Sequence, residues 1–201
     1  MRRLSMPTKR VLLSGIGLSC GVSLMFAIVL AGNPQDSRDV AQPEGWDSEL
    51  ALNIPEDLNQ DPHILEIELE ARITEMEIIA GTKTPVWTYN GVLPGPLIKA
   101  QVGDRVIVHF KNSLPEPTTI HWHGVRVPND MDGAPGHTQP LINPGEEFTY
   151  DFVLRDAGTF WYHSHMMHKT GEQVYRGLAG MLIVDDAESE TLDLPHEYGV
   201  D

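Results

Sequence analysis

Between His63 and Ile73, apolar and charged residues alternate. Ile67, Leu69, Ala71 and Ile73 are separated by Glu68, Glu70 and Arg72, with Glu66 ahead of them. A period of two is that of a half-buried strand. The same composition also fits a helix, with Leu65, Leu69, Ile73 and Met76 on one face. Further strand-like runs lie at Val86 to Tyr89, Leu97 to Gln101, Arg105 to Phe110, Thr118 to Trp122, Phe148 to Leu154, Thr159 to Tyr162 and Met181 to Val184. Turn-forming clusters separate them: Asn90-Gly91, Pro94-Gly95-Pro96, Gly103-Asp104, Asn143-Pro144-Gly145 and Asp156-Ala157-Gly158. Many short strands divided by Gly and Pro predict an all-β sandwich with little helix. A long connection, Val125 to Leu141, interrupts them, and loops of that length in compact domains tend to be functional.

The ends of the chain follow other patterns. Arg2, Arg3, Lys9 and Arg10 precede an apolar stretch from Val11 to Ala31. A basic start and an apolar core predict an export signal over residues 1–31, with cleavage after Ala31; an uncleaved membrane anchor is the alternative. Residues 32–62, rich in Asp, Glu, Gln, Asn and Pro, read as an acidic, solvated linker. The folded domain is expected over 63–187, and residues 188–201 as the start of an interdomain linker. The chain carries 14 Lys and Arg against 29 Asp and Glu, a formal charge of −15. Four of the basic residues lie in the expected signal, so the remainder is more acidic still. Such a surface argues against nucleic acid as a partner.

Two short motifs carry the chemistry. In Ile120-His121-Trp122-His123-Gly124, two histidines stand at i and i+2 in a β-branched, strand-forming context. Residues two apart in a strand project from the same face, so Trp122 points the other way. The device recurs in Phe160-Trp161-Tyr162-His163-Ser164-His165. If the two strands lie side by side, His121, His123, His163 and His165 converge. Neutral imidazole ligates copper, zinc, iron and nickel, and spacing alone does not choose among them. Structural zinc sites usually recruit cysteine, and the one cysteine, Cys20, lies in the N-terminal apolar stretch. Ser164 sits between two candidate ligands and faces away from them, so no nucleophilic Ser-His pair is expected. Met166, Met167 and His168 could form a soft cuprous site but fit loop packing better. No ligand role is assigned to His63, His109, His137 or His196. Trp122, Phe160, Trp161 and Tyr162 are read as core or site wall.

The order of motifs adds a family. Tyr89-Asn90-Gly91-Val92-Leu93-Pro94-Gly95-Pro96, Val102-Gly103-Asp104, the two histidine pairs, Asp132-Gly133, Pro144-Gly145 and Gly177-Leu178-Ala179-Gly180 occur in sequence. Together they closely resemble the first cupredoxin domain of the laccase-like multicopper oxidases, over roughly Ile64 to Asp186. Thr170-Gly171-Glu172-Gln173-Val174 looks more like the bacterial copper-efflux oxidases. The resemblance implies a cupredoxin-like Greek-key β-sandwich and favours strand over helix at Ile67 to Ile73. It implies copper as cofactor, with His121 on the type 2 ion and His123, His163 and His165 on the type 3 pair. It implies that Asp132 helps deliver protons to bound oxygen, as a carboxylate can by acid–base exchange. Asp130 is the rival, and a turn aspartate the plain reading of Asp132. Its partners would be dioxygen, a phenolic or metal-ion reductant and further C-terminal cupredoxin domains. The type 1 copper needs a cysteine that this chain does not offer beyond Cys20, so the chain is expected to be an N-terminal portion, inactive alone and periplasmic or secreted. The rival expectation is a stand-alone exported copper- or zinc-binding protein without catalysis.

Overall fold

The computed structural model describes residues 52–191. The expected signal, most of the linker, His196 and the residues after Thr191 lie outside them. Eight strands form two four-stranded sheets. They are β1 (Ile64–Ile79), β2 (Thr82–Tyr89), β3 (Gly95–Gln101), β4 (Arg105–Asn112), β5 (Ile120–His123), β6 (Glu147–Val153), β7 (Gly158–Ser164) and β8 (Ala179–Asp185), with a helix α1 (Thr170–Arg176) between β7 and β8. One sheet runs β2-β1-β4-β6 and the other β3-β8-β7-β5. Two pairs, β1 with β4 and β3 with β8, are parallel, and the rest are antiparallel. Among the described residues no helix is long and apolar enough to cross a membrane.

The alternation at Ile67 is a strand, and the helical reading fails. Ile67, Leu69 and Ala71 are buried, whereas Glu68 and Arg72 are exposed. The alternation stops predicting burial at Ile73, which is 48% exposed. The cause is register: β1 pairs with β4 only as far as Ala71↔Asn112, and beyond that it pairs with β2 alone. From Arg72 to the turn, β1 and β2 therefore make a two-stranded hairpin in which Ile78 and Ile79 are also exposed. The end of the expected linker is joined to the sandwich: the Leu97 N–H donates to the Asn53 carbonyl at 2.7 Å, and the Leu58 N–H to that of Glu66 at 2.7 Å.

The core fills the space between the sheets. Its largest wholly buried side chains include Trp122, Tyr89, Tyr150, Tyr162 and Phe110. Their rings meet edge-on or tilted, with Trp122 5.5 Å from Tyr150, 5.0 Å from Phe152 and 5.8 Å from Tyr162 between centroids. Trp122 is thus core, as one expected reading had it. Tyr162 explains two glycines. Its ring lies where a Cβ on Gly180 would come within 2.2 Å of Cζ, and its hydroxyl donates to the Pro96 carbonyl at 2.6 Å, 2.9 Å from where a Cβ on Gly95 would stand. The buried hydroxyl of Tyr89 has no partner, and we have no physical account of it.

Candidate metal centre

β5 is the edge strand of its sheet and pairs with β7 alone, His121 opposite His163 and His123 opposite Trp161. Pleating turns Ile120, Trp122, Tyr162 and Ser164 inward, and all four are buried. It therefore turns His121, His123, Trp161 and His163 to the outer face. Apolar neighbours pack the inner face, so a slip of one residue would send the histidines into the core; burial of Trp122 and Tyr162 fixes the register. Strand β5 begins two residues later than the sequence pattern suggests. Pro117 precedes it, and Thr118 bridges to Ile142 instead of joining the ladder.

Ligand nitrogens of His121, His123 and His163 lie within 4.8 Å of one another. His123 Nδ1 is 3.2 Å from His163 Nε2. His165 stands one step past the end of β7. Its ring centroid is 5.2 Å from that of His121 and 6.2 Å from that of His163, and it lies outside the tight trio. The four imidazoles thus gather at one place, three closely and one at the margin. Trp161 forms the wall: its ring stacks on His163 at 4.0 Å and lies 4.9 Å from His123.

The other ring nitrogens are oriented from behind. His121 Nδ1 donates to the Asp132 carbonyl at 2.7 Å, and His163 Nδ1 to the Ser164 carbonyl at 2.8 Å. Each bond leaves Nε2 with its lone pair, the arrangement in which a ligating histidine is held by a second partner. His165 Nδ1 is buried with no partner. Burial pushes the His163 imidazole below its usual pKa, and the neighbouring histidines push the same way against the Ser164 carbonyl. It is neutral at pH 7, the ligating form.

Asp132 meets the site through two groups. Its backbone carbonyl anchors His121, and its carboxylate stands 3.5 Å from the same ring nitrogen. The residue closes a short 3-10 turn, Asn129–Met131. Asp130 is exposed in that turn. Gly133 pins the loop to β5 at φ +83°, and Thr119 Oγ1 donates to its carbonyl at 2.6 Å. Other histidines stand apart: His109 pairs with Glu66 at 2.7 Å and His63 lies 3.5 Å from Asp104. His168 and Met167 are exposed.

The sequence pattern predicts neither helix α1 nor its inward residue. Gln173 is wholly buried. Its amide donates to Glu116 Oε1 at 2.9 Å and to the Pro117 carbonyl at 3.0 Å, and accepts from Thr118 Oγ1 at 2.9 Å. Lys169 Nζ donates to the other Glu116 oxygen. Burial raises the Glu116 pKa, but the bonds from Gln173 and Lys169 outweigh it, and the carboxyl ends below its usual value. The sequence signal for the helix end was Gly177, at φ +124°, whose N–H returns to the Gln173 and Val174 carbonyls.

A profile of the multicopper oxidase family matches residues 70–189. The copper resistance protein A homolog of Pseudomonas syringae pv. tomato is 40% identical over 134 residues, which is 66% of this chain and 22% of that protein. The chain thus spans about a fifth of that relative's length. A solved multicopper oxidase from Campylobacter jejuni, described as a metallo-oxidase, is 40% identical with a TM-score of 0.64, over 70% of this chain and 30% of that one. The laccase of Pediococcus acidilactici gives 31% and 0.69, over 76% and 33%. The two-sheet fold is the cupredoxin-like sandwich of these neighbours, and the chain belongs to the multicopper oxidase family.

Proposed function

We propose that this chain is the N-terminal copper-binding domain of a multicopper oxidase and supplies half of a trinuclear site where dioxygen is reduced to water. The observation that carries the reading is the β5–β7 register, which sets His121 opposite His163 on an outer face with the nitrogens of three histidines within 4.8 Å. The donor set suits copper: all imidazole, no thiolate, with Nε2 of His121 and His163 left unprotonated and a buried Nδ1 on His165 lacking any partner. His121 would serve the type 2 ion, and His123, His163 and His165 the type 3 pair. Bound copper would supply the redox centre that passes electrons to oxygen. Electron entry from a phenol or a metal ion would lie in the remainder of a protein as long as the relatives. We place that protein in the periplasm or outside the cell, on the strength of residues 1–31. Residues 63–187 form the domain and 188–201 lead towards the next.

Copper titration of the chain tests the site. The parent should bind Cu(II), and His163→Ala should lose most of that binding with its fold intact by circular dichroism. Equal binding by both would sink the reading. Reading the coding sequence past Asp201 separates the oxidase from a stand-alone binder: a His-Cys-His motif further on supports the former, and a stop codon the latter.

Asp132 should move protons, and its side chain should not ligate. Its backbone carbonyl, kept in Asp132→Asn, is what holds His121. In the full-length oxidase Asp132→Asn should therefore retain copper, while reoxidation by oxygen after anaerobic reduction slows by about 10²-fold or more. Copper loss as severe as in His165→Ala would make the residue structural. Unchanged reoxidation would leave it a turn residue and turn attention to Asp130.

A further inference from the structure

His165 is held differently from its three companions. His121, His123 and His163 sit inside strands, whereas His165 follows the last residue of β7, where Ile120 pairs with Ser164. Its own main chain makes one bond, N–H to the carbonyl of Thr119, the residue just before β5, at 3.3 Å. The chain then turns: the Lys169 N–H and the Thr170 hydroxyl both donate to the Met166 carbonyl, at 3.0 and 2.9 Å. That turn is fastened by Lys169 and Gln173, and both fasten to Glu116. Glu116, Pro117 and Thr118 lead directly into His121.

We propose that the buried Gln173 amide, with Glu116 and Lys169, is a positioning device that sets His165 and His121 relative to each other for metal binding. The inference rests on the copper reading for its purpose but not for its geometry. A carboxamide is suited to the place because it must both give and take. Two donors reach Glu116 and Pro117, and one acceptor takes the Thr118 hydroxyl. A carboxylate there would have no proton to give, and an aliphatic side chain would strand all three partners. One side chain thereby clamps the two segments that carry the marginal histidine and its nearest neighbour. His121, His123 and His163 share the β5–β7 ladder, so His165 is the histidine whose place relative to His121 depends on the clamp.

The test separates positioning from general stability. Imidazole 1H–15N correlations are recorded on the metal-free 201-residue chain for the parent, Gln173→Leu and Lys169→Met. Lys169→Met removes one of the two ties from the turn after β7 to Glu116, so it should displace the His165 resonances and leave His121, His123 and His163 in place. Gln173→Leu loosens both arms and should displace His165 further, with His121, His123 and His163, tied in the β5–β7 ladder, unmoved. Cu(II) affinity, read by competition with a chromophoric chelator, should weaken by about tenfold or more in each. All four imidazoles moving together in Lys169→Met would show a merely structural contact, and none moving in a folded Gln173→Leu would end the proposal. If Gln173→Leu does not fold, Lys169→Met decides on the same criterion. Displacement of His165 in the variants as expected, alongside a parent that binds no Cu(II), would uphold the positioning and remove the copper reading instead.

Discussion

Gly133→Ala is expected to destabilise the domain by about 2–5 kcal/mol and to loosen His121. At φ +83° an alanine costs about 1–2 kcal/mol. Its Cβ would come 1.8 Å from the Ile120 carbonyl oxygen and 2.9 Å from the His121 nitrogen, both backbone atoms. Neither can swing aside as a side chain tip would, so the loop must lift from β5, at a further cost of about 1–3 kcal/mol. Lifting it breaks the Thr119–Gly133 bond and draws the Asp132 carbonyl away from His121. Thermal unfolding should shift down by about 4–20 °C, and Cu(II) binding should weaken beyond what the loss of folded protein explains. A melting point equal to the parent's would show that the loop does not pack on β5 in solution.

Trp122→Ala should cost about 3–5 kcal/mol, through lost burial and the cavity left between the two sheets. The indole is wholly buried and touches Tyr150, Phe152 and Tyr162. Because it lies between His121 and His123 on the opposite face, its anchoring is what keeps both imidazoles outward. The indole N–H finds no hydrogen-bond partner, so Trp122→Phe sacrifices volume and no polar bond, and should cost clearly less than alanine. Denaturation midpoints of the two variants measure this. Equal losses would mean that the N–H is bonded in solution after all, for instance to a buried water.

Periodicity made most of this architecture legible. Ile67, Leu69 and Ala71 against Glu68 and Glu70 set a strand with one buried face, and His121 with His123 could only share a face. Where the pattern failed, the reason was pairing across long separations. Nothing local distinguishes Ile73 from Ile67; only the end of the β4 ladder at Asn112 does. Gln173 sits between Glu172 and Val174 and two residues before Tyr175, which is 92% exposed. Its burial depends on Glu116 and Thr118, more than fifty residues earlier, and local polarity pointed to solvent. The sequence points to Asp132 for its carboxylate, yet its shorter contact with His121 is made by a carbonyl that any residue would bring. The need for glycine at 133 follows from how near that carbonyl lies to β5.

The place of β8 has a kinetic consequence. It is the last strand of the described chain, and it lies between β3 and β7 in the sheet that bears the histidines. Gly95 must wait for Gly180, and Tyr162 pairs with that same glycine from the other side. Parallel pairing between such distant segments closes slowly, because loop entropy is spent before the contacts return it. During synthesis, all four imidazoles emerge before the strand that completes their sheet. Until β8 docks, β5 and β7 can pair with each other, but their sheet lacks the strand that joins it to β3, so the docking of β8 determines when the histidines stand on a finished sheet.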